Sequence, residues 1–209
     1  VSSHATAYRF GGSTIANAKP HIHKNVLLKL DIHHFFDNIL YTTIKDKVFP
    51  VEDYSEPIRV LLTLLCIRKD VLPQGAPSSP VISNIIMRDF DDTVGGWCDA
   101  RSISYTRYCD DMTFSGDFDS REVIDLVRKE LRKMGLFLND KKTIRVMRGQ
   151  RQSVTGIVVN EGMSVPSAYR KKLRQEVYYC RKFSIEEHLK RSGNAETPES
   201  YLPKLLGRI

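Results

Sequence analysis

ISYTRYCDDMTFS, residues 103–115, alternates through Tyr, Thr, Phe and Ile and is broken at its centre by Cys109-Asp110-Asp111. Strand-favouring residues on both sides of a short acidic pair predict a β-hairpin with Asp110 and Asp111 at its tip. An acidic pair at a tip is ambiguous on its own, because Asp is a common turn former and many such pairs are only solvated. Upstream, VLLKLD (26–31) reads as a short buried strand that ends on Asp31. If that strand and the hairpin are neighbours in a split βαββαβ sheet, three carboxylates meet at one edge with no basic residue immediately beside them. Such a cluster is costly unless cations neutralise it, and oxygen-only ligands suit Mg²⁺. Two such ions about 3.5–4 Å apart can activate an attacking hydroxyl and stabilise a departing oxygen in phosphoryl transfer.

The surrounding segments predict an α+β layout, an antiparallel sheet backed by helices. HHFFDNI after Asp31 reads as a turn into a short helix. PIRVLLTLLCI (57–67) is apolar almost all round and predicts a helix packed on several sides. LPQGAPSSP (72–80) must be a loop, after which Ser79 as N-cap and Pro80 as first residue open one helix through VISNIIMRDFDD. Asp119 to Met134 is amphipathic, with Val123, Leu126, Val127, Leu131 and Met134 on one face, Glu122 placed for a capping box and Gly135 as its stop. FLNDKKTIRVM and SVTGIVVNEG each predict a strand. From Pro166 a basic helix runs through YRKKLRQEVYYCRKF, with Tyr169, Leu173, Val177 and Cys180 as its apolar stripe.

With 209 residues, 41% of them hydrophobic, the chain can bury a real core as one or two compact units. No stretch reaches the roughly 20 apolar residues that cross a bilayer, and VSSHATAYRF lacks the layout of a secretion signal. Cys66, Cys98, Cys109 and Cys180 form no close pair, so neither a zinc site nor a disulfide framework is expected, and reduced thiols fit a cytoplasmic setting. The first and last segments suggest a piece cut from a longer chain. Net charge is +7, and residues 121 to 191 hold 18 Lys and Arg against 8 Asp and Glu. That basic half suits a polyanion, although charge alone fits a merely cationic surface equally well.

Tyr108-Cys109-Asp110-Asp111 resembles the Tyr-x-Asp-Asp signature of reverse transcriptases, and LKLDIHHFFDNI resembles the first acidic motif of that family. Leu72 to Asn84 resembles its Pro-Gln-Gly motif, and GLFLNDKKT (135–143) its lysine-bearing segment, in the family's order. Asn17-Ala18-Lys19-Pro20-His21 and Val154-Thr155-Gly156 resemble elements of bacterial retron-type enzymes, favoured here over group II intron or diversity-generating relatives. The resemblance implies a right-hand polymerase fold with an antiparallel palm sheet. Fingers would occupy 1–26 and 43–78, incomplete at the N-terminus. The palm would take 27–42 and 79–165, and the start of a truncated thumb 166–209.

The same resemblance implies roles. Asp31, Asp110 and Asp111 would hold two Mg²⁺ ions, with Mn²⁺ as a substitute, in an RNA-directed DNA polymerase. Its partners would be an RNA template, a DNA primer, dNTPs and a structured non-coding RNA. Phe36, or its neighbour Phe35, would exclude a 2′-hydroxyl. Adjacent side chains of an extended segment point apart, which favours Phe36 for the site. Ile32, Gln74, Gly75 and Tyr108 would bind substrate, Gly75 by allowing close backbone approach. Lys142, or Lys141, would protonate pyrophosphate, and Arg9 would reach the triphosphate. Asn17, His21, Val154, Thr155 and Gly156, with Arg170, Lys171 and Arg174 of the basic helix, would recognise RNA. The remaining alternatives are a polymerase-like RNA-binding module without useful catalysis and an RNA-copying RNA polymerase, which a ring at Phe36 disfavours.

Overall fold

The computed structural model describes residues 1–208, which separate into two compact units, 1–163 and 164–208. The first unit is built on a four-stranded sheet of β1 (Val26–Asp31), β2 (Ser104–Tyr108), β3 (Asp111–Gly116) and β4 (Ile144–Met147). Its strand order is β2-β3-β1-β4, with β3 and β4 both antiparallel to β1. The hairpin β2–β3 pairs Tyr108 with Asp111, leaving Cys109 and Asp110 as the two-residue connection. An α+β fold with an antiparallel sheet is therefore what forms.

Strand periodicity gives this sheet two different faces. Leu28, Leu30, Met112 and Phe114 are fully buried and pack with Phe90, Val94, Val127 and Leu131. The last four come from two helices, α5 (Arg88–Asp99) and α6 (Ser120–Lys133). The opposite face carries Leu27, which packs with Ala18 at the end of α1 (Thr14–Ala18), with Val154 of a small β5–β6 hairpin (Ser153–Val154, Ile157–Val158) and with Val159 just after it. Helix α6 is capped by the Asp119 side chain accepting from the Arg121 amide, and Gly135 at φ +71° ends it. Phe114 is stacked on Tyr105 at 4.7 Å and has no exposed surface. Phe114→Ala should therefore cost about 3–5 kcal/mol, read as a lower urea midpoint with an unchanged slope.

Several expectations are corrected. Helix α3 (Glu56–Cys66) is not packed on several sides: Arg59 and Thr63 are its buried residues, while Ile58, Leu61, Leu64 and Leu65 are exposed. Apolar composition sets how much a helix could bury, and the neighbouring elements, here α2 (Tyr41–Val48), set how much it does. The helix after the Pro-rich loop is two, α4 (Ser79–Ile86) and α5, separated at Met87, whose ψ of −1° departs from helical geometry. Ser78 rather than Ser79 precedes α4, and the Ser79 hydroxyl donates to the Pro73 carbonyl at 2.6 Å. Asp140–Lys142 is a 3-10 turn rather than strand. SVTGIVV folds back on itself because Thr155 (φ 45°) and Gly156 (φ 84°) both take positive φ, the requirement of a tight two-residue hairpin.

In the second unit, α7 (Ser167–Phe183) is followed by α8 (Ile185–Ser192) and α9 (Pro198–Leu206). Leu173, Val177 and Cys180 pack on Leu189, Tyr201 and Leu205, while Tyr169 stays exposed. Among the described residues no helix is long and apolar enough to cross a membrane.

Candidate active site

Antiparallel register brings the acidic residues together. Asp31 closes β1 directly opposite Asp111, the first residue of β3, and the Ile32 amide donates to the Asp110 carbonyl at 3.2 Å. Residues paired across a ladder share a face, so Asp31, Asp111 and Tyr108 lie on the side of the sheet opposite the main core. Burial first, then the charges of Asp110 and Asp31, hold the Asp111 carboxyl above its ordinary range.

The expectation that no basic residue stands beside this cluster is wrong. Lys142 donates to Asp31 Oδ2 at 2.8 Å, and Asn139 Nδ2 donates to Oδ1 at 3.2 Å. The 3-10 turn that follows Asn139 carries Lys142 there, and the Asn139 amide donates to the Asp31 carbonyl at 2.8 Å. The hydrogen bond from Lys142 to Asp31, and the charge of that carboxylate, raise the Lys142 pKa. The pairing of Asp31 with Lys142 depends on tertiary proximity across 111 positions, which spacing alone does not reveal. Among the described residues no acidic, His or Cys trio is closed to metal-ligand spacing. The donor chemistry nevertheless fits a hard cation: three oxygen-bearing side chains at one strand edge, one of them destabilised by its neighbours' charge.

These groups open onto a cleft of about 920 Å³. Phe36, Gln74, Gly75 and Tyr108 line it, and so does Tyr8, which the sequence reading did not single out. Tyr8 takes φ 55°, its ring lies 6.3 Å from that of Tyr108, and burial followed by Cys109 raises its pKa. Nothing in the local pattern of AYRF marks a residue whose partner is 100 positions away. Phe35 is buried in the main core and Phe36 is half-buried. The segment is helical rather than extended, so the two rings diverge by helical rotation, not by strand alternation. Gly75 takes φ +88° and a Cβ there would meet no protein atom within 4 Å, so its backbone conformation, not crowding by protein, requires glycine. The Ile32 side chain belongs to the core, leaving its backbone at the site. Arg9 does not line this cleft: its Nη1 donates to the carbonyls of Ser2, Ser3 and Ala5.

The two short elements on either side of the core meet. Asn17 Nδ2 donates to Thr155 Oγ1 at 3.4 Å, and Ala18 packs with Val154. Asn17 and His21 are buried, with Asn17 Oδ1 accepting from Thr6 and the His21 ring bonded to Ser115 Oγ and Thr106 Oγ1 at 2.7 and 2.8 Å. Neither they nor Val154 presents its side chain to solvent. Thr155 and Gly156 form the hairpin turn, and Arg170, Lys171 and Arg174 are exposed on α7.

Burial lowers the His21 pKa to about 3. The unfolded chain takes up a proton below pH ~6.5 and the folded chain does not until about pH 3, so stability falls as pH drops through that window. Urea titrations should show a loss of up to about 1.4 kcal/mol per pH unit below 6.5, absent in His21→Gln. An unchanged slope in that variant would remove His21 as the cause.

A family model described as reverse transcriptase (RNA-dependent DNA polymerase) matches residues 1–161. Retron Ec86 reverse transcriptase of Escherichia coli is 35% identical over 184 residues, covering 85% of this chain and 57% of that protein. Retron Ec83 reverse transcriptase of Escherichia coli is 36% identical over 175 residues, 74% of this chain and 54% of that protein. Retron Mx65 reverse transcriptase of Myxococcus xanthus is 29% identical over 209 residues, 90% and 49%. The chain thus spans about half the length of the curated relatives it matches. Among solved structures, apo telomerase from Candida tropicalis truncated from its C-terminal domain superposes with a TM-score of 0.52 at 13% identity, over 73% of this chain and 38% of that one. At that identity the likeness is one of fold.

Proposed function

We propose, since the chain belongs to the reverse transcriptase (RNA-dependent DNA polymerase) family, that it carries the nucleotide-adding centre of a retron-type enzyme. It would extend a primer 3′-hydroxyl with dNTPs on an RNA template. The observation that carries this reading is the register that sets Asp31 opposite Asp111 with Asp110 at the adjoining turn. Asp31, Asp110 and Asp111 would hold two divalent ions, Mg²⁺ or in its place Mn²⁺, which supply a more nucleophilic hydroxyl and stabilise the leaving oxygen. Lys142 is paired with Asp31. Asp31 would help hold the cation, and Lys142, beside that carboxylate, would be placed to donate a proton to departing pyrophosphate.

Phe36 would close the sugar pocket against a 2′-hydroxyl. Gln74, Gly75 and the Ile32 backbone would line the nucleotide, and Tyr108 would support the primer end. The retron assignment is supported by the retron relatives and by the contact of Asn17 and Ala18 with Thr155 and Val154. In this reading residues 1–26 and 43–78 act as fingers, 27–42 and 79–165 as palm and 166–209 as the start of a thumb. Arg170, Lys171 and Arg174, exposed on α7, would lay cations along the template-primer duplex, and the turn at Thr155-Gly156 would face a structured RNA.

Primer extension on homopolymer RNA and DNA templates with Mg²⁺ or Mn²⁺ tests this. Metal-dependent dNTP incorporation on the RNA template is the expected result. A folded chain that binds template-primer but never extends it is an RNA-binding module instead.

A further inference from the structure

We propose that Arg107 is a positioning residue for the acidic turn, its buried guanidinium holding the Cys109 carbonyl and thereby setting how Asp110 and Asp111 present their carboxylates. The inference rests on the reading of these aspartates as a metal-holding centre. Arg107 lies on the core face of β2 with no exposed surface, directly beneath the turn. Four of its five N–H groups are spoken for. Nε and Nη2 grip Asp91 at 2.8 and 2.6 Å, Nη2 also reaches Asn84 Oδ1 at 3.2 Å, and Nη1 donates to the Cys109 carbonyl at 2.8 Å.

The partners are themselves tied in place. The Tyr105 hydroxyl donates to Asp91 Oδ1 at 2.8 Å, and Asn84 Nδ2 donates to the Ala7 carbonyl at 2.9 Å, next to Tyr8 in the cleft. One guanidinium therefore joins α4, α5, the catalytic turn and the segment bearing Tyr8.

Stability alone does not call for an arginine here, because a buried ion pair can often be replaced by apolar residues at no loss. An apolar side chain could not bond the Cys109 carbonyl. That bond matters because Cys109 takes φ 62°, in a two-residue connection whose positive-φ position ordinarily favours glycine. A residue with a Cβ persists in that conformation only where its surroundings over-determine it. A charge-assisted hydrogen bond to its carbonyl does so. Since Asp91 neutralises the guanidinium inside the core, Arg107 supplies geometry to the acidic face rather than positive charge.

The test compares Arg107→Lys with Arg59→Lys. Arg59 is also buried and grips Asp46, Glu56 and the Phe49 carbonyl, away from the turn. Mn²⁺ binding is read from the free-ion EPR signal, and primer extension gives kcat and KM per folded molecule. Arg107→Lys should weaken Mn²⁺ binding and lower kcat by about 10-fold each, with KM for dNTP little changed, whereas Arg59→Lys should only lower the thermal midpoint. Arg107→Lys with wild-type Mn²⁺ affinity and kcat overturns the proposal. A wild-type chain that binds no Mn²⁺ overturns the metal-centre reading instead. If Arg107→Lys does not fold, the side-chain Nε–H resonance of Arg107 in the wild-type protein decides: a shift on Mg²⁺ titration supports the coupling, and none refutes it.

Discussion

A chain carrying Asp110→Asn and Asp111→Asn should lose primer extension by about 1,000-fold or more, some 4 kcal/mol of barrier, while becoming no less stable. The second half of that expectation comes from the charge balance. Burial, Asp110 and Asp31 together raise the Asp111 pKa, so at neutral pH the folded state holds a carboxylate it disfavours. Neutralising it removes that penalty, and the thermal midpoint should stay level or rise. Asp31→Asn should abolish activity equally but gain no stability, because Asp31 is satisfied by Lys142 and Asn139. Activity lost with stability kept is the signature of a functional carboxylate cluster. Extension that persists in the double variant would sink the metal assignment.

Phe36→Ala should reduce the preference for dNTP over rNTP by about 10- to 100-fold, the scale of discrimination that a single steric contact supplies. Phe36 is half-buried on the cleft, so truncation enlarges the pocket without emptying the core. Phe35→Ala is the contrasting case: its ring is buried in the main cluster, and its loss should cost about 3 kcal/mol or more of stability, with sugar selectivity unchanged among molecules that remain folded. Single-nucleotide incorporation with dATP and ATP reads both variants. Equal use of the two by the wild-type chain would refute a gate at either position.

Much of the site was readable because it is encoded in short local patterns. VLLKLD has the length and apolarity of a buried strand, and the alternation around Cys109-Asp110-Asp111 requires a hairpin, so both acidic segments sit at strand ends. Helix α6 was readable for the same reason, since its apolar spacing, N-cap and terminal glycine are all local. Where the reading failed, the cause was tertiary. PIRVLLTLLCI has the composition of a surrounded helix, yet little lies against it among the described residues. Asn17 and His21 look like polar contact residues until the sheet is seen to bury them.

Strand and turn preferences act over a few neighbouring residues, which is why local patterns alone end a strand on Asp31 and put Asp110 and Asp111 at a turn. That Asp31 faces Asp111 in register, that Lys142 pairs with Asp31 and that Arg107 bonds the turn from beneath came from the fold as a whole. Those three facts depend on residues 80, 111 and 2 positions apart being brought together at one end of the sheet. Even the nearest of them was hidden, since whether Arg107 points into the core or to solvent is set by which face the helices cover.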